Sequence, residues 1–150
     1  MVAIFKTLCL FIATASIAIG GEWGTDWEAA KAQAKKENKP IFINFTGTDW
    51  CGWCIKLENE VFSKKAFQEY AKENLVLMEV DFPRKKKLSD EVKAQNKMLD
   101  KKYGVEGYPT LYLLDAEGNK ISGDVGYREG GPEAYVNYLK ELLAKAEPAA

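Results

Sequence analysis

The chain is 150 residues long with a formal net charge of −1, and 47 % of its residues are hydrophobic and 29 % charged. This composition is typical of an ordinary globular chain, and so small a net charge excludes a strong electrostatic attraction to nucleic acid or an anionic membrane. The chain has no histidine, three methionines and three cysteines, which argues against a copper or zinc carrier.

The first 20 residues have the pattern of a secretory signal peptide. Lys6 supplies a positive charge, residues 7–19 form an apolar run, and small residues stand at Ala18 and Gly20. The run is shorter than the roughly 20 residues that a membrane-spanning helix needs, so cleavage near Gly20 is favoured over a retained membrane anchor. We therefore expect export to an oxidising compartment, for which a bacterial periplasm or cell surface is the best fit.

Helix and strand signals alternate along the rest of the chain. Thr25–Glu28 is a predicted capping box, in which the Thr and Glu side chains each bond the other's backbone N–H. Continuous apolar runs indicate strands that are buried on both faces. The predicted elements of the first half are a helix to about Glu37, a buried strand at 41–45, a loop at 46–49, a helix from about Cys51 through Leu57, a helical stretch from Ser63 and a buried strand at 75–81.

The second half continues the alternation and ends in a hairpin and a helix. Its predicted elements are a helix capped by Ser89 that runs to about Lys102 and is ended by Tyr103-Gly104, a strand at 110–114, a turn at 115–119, an edge strand from Lys120 to about Tyr127, and a last helix that starts at Pro132 and buries Tyr135, Leu139 and Leu142. Alternation of this kind predicts an α/β fold, a compact sandwich in which helices flank a mixed sheet.

A single domain is expected after the signal peptide. Residues 21–150 have the usual length of one domain, with a core at about 25–145 and a short flexible C-terminal tail. No internal repeat or low-complexity linker divides them, and no feature indicates an oligomer, so a monomer is expected. The one basic block, at 84–87, is predicted to be a solvated loop and helix entry.

Cys51 and Cys54 are separated by Gly52 and Trp53, whereas Cys9 lies in the predicted signal peptide. Such a close pair is a redox couple, half of a metal site or a tight structural disulfide. Zinc is disfavoured because a structural site takes four nitrogen or sulfur ligands, and a structural disulfide is disfavoured because such bridges normally close longer loops.

The position of the pair favours a redox couple. It follows a buried strand and opens a helix, where unsatisfied N–H groups and the positive end of the helix dipole stabilise a thiolate. Cys51 is therefore predicted to be the nucleophile, exposed at the helix tip, and Cys54 the resolving cysteine of a redox-active disulfide.

The stretches Trp50–Cys54 and Gly107–Thr110 resemble the active-site and cis-proline segments of the thioredoxin-fold family. The resemblance covers about 23–145. Within the family, the chain is similar in particular to exported bacterial thioredoxin-like proteins related to the periplasmic reductase domain of DsbD. It implies a thioredoxin-like three-layer sandwich with a central mixed sheet, a protein-disulfide oxidoreductase and no cofactor beyond the cysteines.

The resemblance also implies roles for residues around the cysteine pair. Gly107, Tyr108 and Pro109 would bind substrate, with the Tyr108–Pro109 peptide bond cis beside the active-site disulfide. An ordinary turn is the alternative for this loop, and simple apolar packing is the alternative for Trp50. The residues expected to support the site are Trp50, Gly52, Trp53, Glu58 and Asn44.

Two departures from thioredoxins bear on the mechanism. Asn44 stands where cytoplasmic thioredoxins have a buried Asp, and an amide cannot take a proton. Glu58 matches a Glu of the DsbD domain four residues after the second cysteine, so it is predicted to deprotonate Cys54, with a solvated helix residue as the alternative. Trp53 stands where strong oxidants have His, so Cys51 should be less acidic than in those oxidants, which favours a reductase or a thiol–disulfide exchanger of intermediate potential.

The leading hypothesis is an exported thiol–disulfide oxidoreductase that reduces or isomerises protein disulfides. Its expected partners are disulfide-containing exported proteins and a membrane thiol electron donor, because a reductant in an oxidising compartment must be recharged. The alternative is a thioredoxin-fold binding or chaperone module with a permanently oxidised, non-catalytic disulfide. The connection at 82–101 is longer than in thioredoxin and is expected to be a surface excursion, with contact to a partner as the alternative.

Overall fold

The computed structural model describes residues 21–146, so the predicted signal peptide and the last four residues lie outside the described part. The helices are α1 (Trp27–Glu37), α2 (Gly52–Leu57), α3 (Lys65–Asn74), α4 (Asp90–Tyr103) and α5 (Gly131–Ala146), with a π-helical turn at Glu58–Phe62 directly after α2. The strands are β1 (Ile41–Thr46), β2 (Val76–Asp81) and β3 (Thr110–Leu114). None of these helices is long and apolar enough to cross a membrane.

The three strands form one mixed sheet in the order β2–β1–β3. β1 runs parallel to β2, with Asn44 opposite Glu79, and antiparallel to β3, with Asn44 opposite Leu111. All six residues of β1 are buried, which is the reason for its continuous apolar sequence. The expected mixed sheet is confirmed.

Helices cover both faces of the sheet. On one face, α2, the π-helical turn, α3 and α5 pack around Phe42, and this apolar cluster includes Tyr135 and Leu139. On the other face, α1 and α4 pack over Ile43 and Phe45. The expected three-layer sandwich is therefore confirmed, and Leu142 lies at the margin of its core, only partly buried.

The predicted capping box at the start of α1 is wrong. Asp26 is the N-cap, and its side chain accepts the N–H of Ala29 at 2.9 Å. Gln95 of α4 accepts the N–H of Trp27 at 2.9 Å and donates to the carbonyl of Thr25 at 2.9 Å. Because a carboxylate and a distant amide already satisfy the free N–H groups of this helix end, the Thr hydroxyl is not needed as a cap.

The predicted edge strand at 120–127 does not form beyond one bridge to the end of β3. The backbone N–H groups of Ile121 and Val125 still donate to the carbonyls of Leu113 and Leu111, at 2.9 and 2.8 Å, but side chains of this segment, rather than its carbonyls, accept the N–H groups of β3. The N–H of Leu113 donates to Ser122 Oγ at 3.0 Å, and the N–H of Leu111 donates to Asp124 Oδ1 at 2.9 Å. Since Ser and Asp side chains compete with backbone carbonyls for N–H groups, the edge of β3 is satisfied without a fourth regular strand.

Candidate active site

The cysteine pair lies where β1 leads into α2. Cys51 is the N-cap of α2 in an extended conformation, and a disulfide joins it to Cys54. The N–H of Cys54 points at Cys51 Sγ, 3.3 Å away. α2 continues without a break into the π-helical turn that ends at Phe62. The free N–H groups of this helix end therefore face Cys51, in the arrangement that stabilises an anionic sulfur.

Both cysteines are nearly covered, which differs from the expectation of an exposed Cys51. Cys51 is 6 % exposed and Cys54 5 % exposed. The carbonyl oxygen of Tyr108 lies 3.7 Å from Cys51 Sγ and accounts for part of the cover. A helix tip is exposed only if no other segment crosses it, and here the loop before β3 does.

That loop has the expected cis peptide bond between Tyr108 and Pro109. Thr110 Oγ1 donates to the carbonyl of Gly107 at 2.7 Å, which braces the turn from the side of β3. The Tyr108 hydroxyl donates to Asp100 of α4 at 3.0 Å. Burial, together with this hydrogen bond to a carboxylate, raises the pKa of Tyr108 to about 12, so the ring is a neutral wall of the site over the whole physiological pH range.

Trp50 joins the cysteine pair to the segment after β2. Its Nε1 donates to the carbonyl of Phe82 at 2.7 Å, and its ring meets Tyr108 edge-on with centroids 6.0 Å apart. The Arg84 guanidinium stacks over the same ring at 3.9 Å. Gly47 lies under the indole, where a Cβ would come within 2.5 Å of the ring, so only glycine fits this close approach.

Asp49 is a residue of the site that the sequence analysis missed. Its carboxylate accepts the backbone N–H groups of Arg84, Lys85 and Lys86 at 2.8–2.9 Å. These hydrogen bonds, led by the one from Arg84, hold the pKa of Asp49 below its ordinary value. Asp is common in loops, and only its position directly before Trp50 and the cysteines could have drawn attention to it.

An aromatic platform flanks the cysteine pair, formed by Trp53, Lys56, Glu60 and Tyr127. Trp53 is 57 % exposed, and its ring centroid lies 5.2 Å from that of Tyr127. The Lys56 ammonium lies 5.1 Å from the Trp53 centroid and 5.0 Å from the Tyr127 centroid, and the Tyr127 hydroxyl donates to Glu60. So large an exposed indole does not belong to the core.

Asn44 and Glu79 lie side by side on the face of the sheet that α2 covers. Strand side chains alternate, and Asn44 shares its face with the buried Phe42. Asn44 is 6 % exposed, and its Oδ1 has no hydrogen-bond partner among the described residues. The sequence analysis missed Glu79, although a carboxyl inside an otherwise apolar strand is a recognisable signal.

The carboxyl pKa values near this face are raised. Partial burial raises the pKa of Glu58 above its ordinary value of 4.5. Burial, the charge of Asp81 and to a lesser extent the charge of Glu58 raise the pKa of Glu79, while Lys86 opposes them. The backbone N–H of Glu58 bonds the carbonyls of Cys54 and Ile55, so Glu58 stands one helical turn after Cys54 and on the same side of the helix.

The assembled groups suit sulfur chemistry and peptide contact. The site offers a disulfide at a helix N-terminus, an adjoining loop carbonyl, two indoles and two carboxyls, Glu58 and Glu79, with raised pKa values. Within residues 21–146, no cluster of three or more Cys, Asp or Glu side chains is arranged to hold a metal ion.

Comparison with known proteins gives concordant matches. The thioredoxin-like domain family matches residues 27–142. The disulfide bond reductase DsbH of Chlamydia pneumoniae is 38 % identical over 120 residues, which cover 78 % of this chain and 72 % of that protein.

Two solved structures are similar in fold. A DsbH oxidoreductase superposes with a TM-score of 0.77 at 36 % identity, covering 82 % of this chain and 84 % of that one. The reduced C-terminal domain of Neisseria meningitidis DsbD superposes with a TM-score of 0.55 at 20 % identity, covering 76 % of this chain and 91 % of that one. The second likeness is one of fold alone.

Proposed function

The chain belongs to the thioredoxin-like family and is a thiol–disulfide oxidoreductase, and on that premise we propose that it is exported and reduces disulfide bonds of other exported proteins through Cys51 and Cys54. The observation that carries this proposal is the disulfide at the start of α2, with the Cys54 N–H and the Tyr108 carbonyl at Cys51 Sγ. Residues 1–20 would be the signal peptide.

The reduced protein would act in two exchange steps. The Cys51 thiolate attacks one sulfur of a substrate disulfide, the substrate S–S bond breaks, and the second substrate sulfur leaves as a thiolate. The Cys54 thiolate then attacks Cys51 Sγ, which releases the first substrate sulfur and forms the Cys51–Cys54 disulfide. Two electrons pass to the substrate, so a membrane thiol donor would have to return two electrons to the pair.

The substrate-binding roles follow from what surrounds Cys51. Gly107, Tyr108 and Pro109 would offer backbone to an extended substrate segment, because the Tyr108 carbonyl lies 3.7 Å from Cys51 Sγ and Gly107 beside it is exposed. Trp53 would contact the substrate from the aromatic platform, and Gly52 is exposed with open space around it. Trp50 would support the site by fixing the segment after β2.

The direction of electron flow is tested by the reduction potential of the pair. Trp53 carries no charge to stabilise the thiolate of Cys51, unlike a histidine at that position, so we expect a potential nearer about −270 mV than about −120 mV. Equilibration with defined ratios of reduced and oxidised glutathione or dithiothreitol measures it. A value near the oxidising end would overturn the reductase assignment.

A binding or chaperone module with a permanently oxidised disulfide is the second candidate. The observation that favours it is the burial of both cysteine residues, at 6 % and 5 % exposure. The same titration separates the two candidates, because a structural disulfide has a potential below about −300 mV and resists the glutathione pool.

We propose further that Glu58 accepts the proton of Cys54 during the second step. Asn44 cannot do so, while Glu58 stands one turn from Cys54 and has a raised pKa. The charge of Glu58 acts on Glu79, which is also influenced by Asp81 and Lys86. Glu79 would share the task, because it lies beside Asn44 and faces the same helix.

Substitution of Glu58 by Gln is expected to slow release from the mixed disulfide by about tenfold, less than a sole general base supplies, because Glu79 remains. The acid limb of the pH–rate profile should also lose the inflection that belongs to Glu58. Stopped-flow measurement of mixed-disulfide decay tests both the slower release and the lost inflection. The measurement should run from about pH 4 to about pH 8, which spans the ordinary pKa values of carboxyl groups and approaches that of a thiol.

The matched control is Glu60→Gln, two residues further along the chain and on the aromatic platform. A folded-state pKa above the unfolded value means that ionised Glu58 costs stability as the pH rises, so the Glu58→Gln variant should not be less stable at neutral pH. An unchanged pH profile, or an equal effect of Glu60→Gln, would rule out the role in proton transfer.

A further inference from the structure

A groove of about 640 Å³ lies between the segment after β2 and one face of α4. Tyr108 forms part of its wall, and the carbonyl of the same residue lies 3.7 Å from Cys51 Sγ. The groove is therefore separated from the cysteine pair by a single residue. A polypeptide whose disulfide reaches Cys51 would bring its neighbouring residues to this groove.

The charged side chains that line the groove are mostly basic. They are Lys86, Lys93, Lys97 and Lys101 on the positive side and Asp81 and Asp100 on the negative side. Thr48 bonds both carboxylate oxygens of Asp81, at 2.9 Å through its N–H and 2.6 Å through its hydroxyl. Asp100 accepts the hydroxyl of Tyr108. Both acids thus have partners other than the lysines.

The lysines have few ion-pair partners of their own. Within residues 21–146, Lys86, Lys97 and Lys101 form no salt bridge, and Lys93 reaches only the exposed Asp90 of its own helix, at 3.5 Å. Lys93, Lys97 and Lys101 follow one another at four-residue spacing, so they stand on one helix face, where like charges repel. Lys101 lies in the last turn of α4, where a positive charge is favourable to the helix dipole, but the dipole does not explain Lys93 and Lys97, which precede that turn.

The wall opposite α4 is held in place. The sequence predicts a surface excursion at 82–101 and a solvated loop at 84–87. The side chains of the basic block are exposed, but its backbone is bound by Asp49, Trp50 binds the carbonyl of Phe82, and Asn96 Nδ2 binds the carbonyl of Asp81 at 2.9 Å. A wall anchored in this way keeps the groove open for a ligand without an ordering cost on binding.

The floor of the groove is apolar. Phe82, Pro83 and Leu88 line it and are partly buried. An apolar floor under a basic rim, in a chain whose overall net charge is −1, is complementary to a peptide that carries acidic and apolar residues together. A flat anionic membrane or a nucleic acid backbone has no apolar side chains to place on such a floor.

We propose that this lysine groove, defined by Lys86, Lys93, Lys97 and Lys101, binds an acidic segment that adjoins the disulfide of the protein substrate. The groove would then select among disulfides by the charge of the neighbouring sequence. This inference rests on the proposed function, since the occupant is a part of the disulfide substrate.

The test compares two disulfide peptides of equal length. One carries three Glu and one Leu beside its cysteine, and the other carries three Gln and the same Leu. At low salt, the reduced protein should reduce the acidic peptide about tenfold faster than the neutral peptide, which is the effect that two exposed charge pairs can supply. The preference should shrink at high salt because salt screens exposed charges. The readout is the second-order rate constant for each peptide.

The variant is Lys97→Gln with Lys101→Gln, and the matched control is Lys36→Gln with Lys145→Gln, exposed lysines of α1 and α5 with the same total charge change. The groove variant should lose most of the preference for the acidic peptide, while its rate with the neutral peptide falls much less. The control variant should behave as the unmodified protein. If the groove variant and the control variant lose the preference for the acidic peptide equally, the preference depends only on the net charge of the protein, and the proposal is overturned.

Binding of a cysteine-free acidic peptide to the oxidised protein, followed by fluorescence anisotropy, separates the groove from the chemistry. A lower affinity of the groove variant for this peptide supports the groove, whether or not the disulfide peptides are reduced. If neither disulfide peptide is reduced, the oxidoreductase mechanism fails and the groove proposal is judged by the binding measurement alone. Equal rates for the two peptides contradict the proposal. So does tighter groove-dependent binding of phosphatidylglycerol vesicles than of the acidic peptide.

Discussion

Replacement of Cys51 by Ser is expected to abolish disulfide reduction, with a loss on the order of 10⁴-fold or more, to the uncatalysed rate. The thiolate is the attacking species, and a serine hydroxyl stays protonated at neutral pH. Serine is itself a good N-cap, so it keeps the start of α2, where Cys51 is the N-cap. The loss should therefore be chemical rather than structural, and turnover of a disulfide substrate such as insulin measures it.

Replacement of Cys54 by Ser is the matched variant. It leaves the attack by Cys51 intact and removes the resolving thiol, so mixed disulfides with substrates should accumulate in the exporting host. The Cys51→Ser strain should contain none. If no mixed disulfides accumulate, and Cys51→Ser leaves the phenotype of the host unchanged, the protein is a binding module and not an oxidoreductase.

Truncation of Phe42 to Ala is expected to cost about 3–5 kcal/mol of the free energy of unfolding, the usual range for a fully buried Phe. Phe42 is 0 % exposed in the middle of β1, and its ring lies 6.1–6.4 Å from the rings of Trp23, Phe62, Phe67 and Tyr135. Removal of the Phe42 ring leaves a cavity. The surrounding rings belong to several different elements, so they cannot all move inward to fill it.

Such a loss is a large share of the roughly 5–15 kcal/mol that holds an average domain folded. Chemical denaturation measures it as a lower midpoint with an unchanged slope. Met98→Ala is the control, because Met98 is 48 % exposed on α4, and it should change stability by less than about 0.5 kcal/mol. A cost below about 1 kcal/mol for Phe42→Ala would contradict the packing described here.

Much of the fold could be predicted from local patterns. Continuous apolar runs located β1, β2 and β3, because a strand buried on both faces has no polar positions to interrupt it. Ser89 and Gly104 marked the two ends of α4, since a side-chain cap and a left-handed glycine are local devices. The cysteine pair at the start of α2 was found in the same way.

The errors lie where polar side chains choose partners far along the chain. The capping box at Thr25–Glu28 failed because Gln95, 68 residues from Trp27, supplies the acceptor. The edge strand at 120–127 failed because Ser122 and Asp124 bond the β3 backbone themselves. A sequence pattern shows that a hydrogen-bonding group is present and does not show which group it meets.

The candidate site divides in the same way. The spacing of Cys51 and Cys54 predicted the sulfur chemistry of the site. Asp49 and Glu79 were missed because the residue that each one meets is distant in sequence. The exposure of Cys51 was misjudged for the same reason, because the covering carbonyl belongs to Tyr108, 57 residues away.

The sequence by itself determined the class of the fold, the cysteine pair and its place at a helix start, because each depends on residues within one element. Only the tertiary structure decided what surrounds that pair. The lysine groove combines a side chain from the segment after β2 with a row on α4, and Tyr108 joins it to the sulfur. Which segments become neighbours is decided by how the helices pack on the sheet, and no local periodicity contains that information.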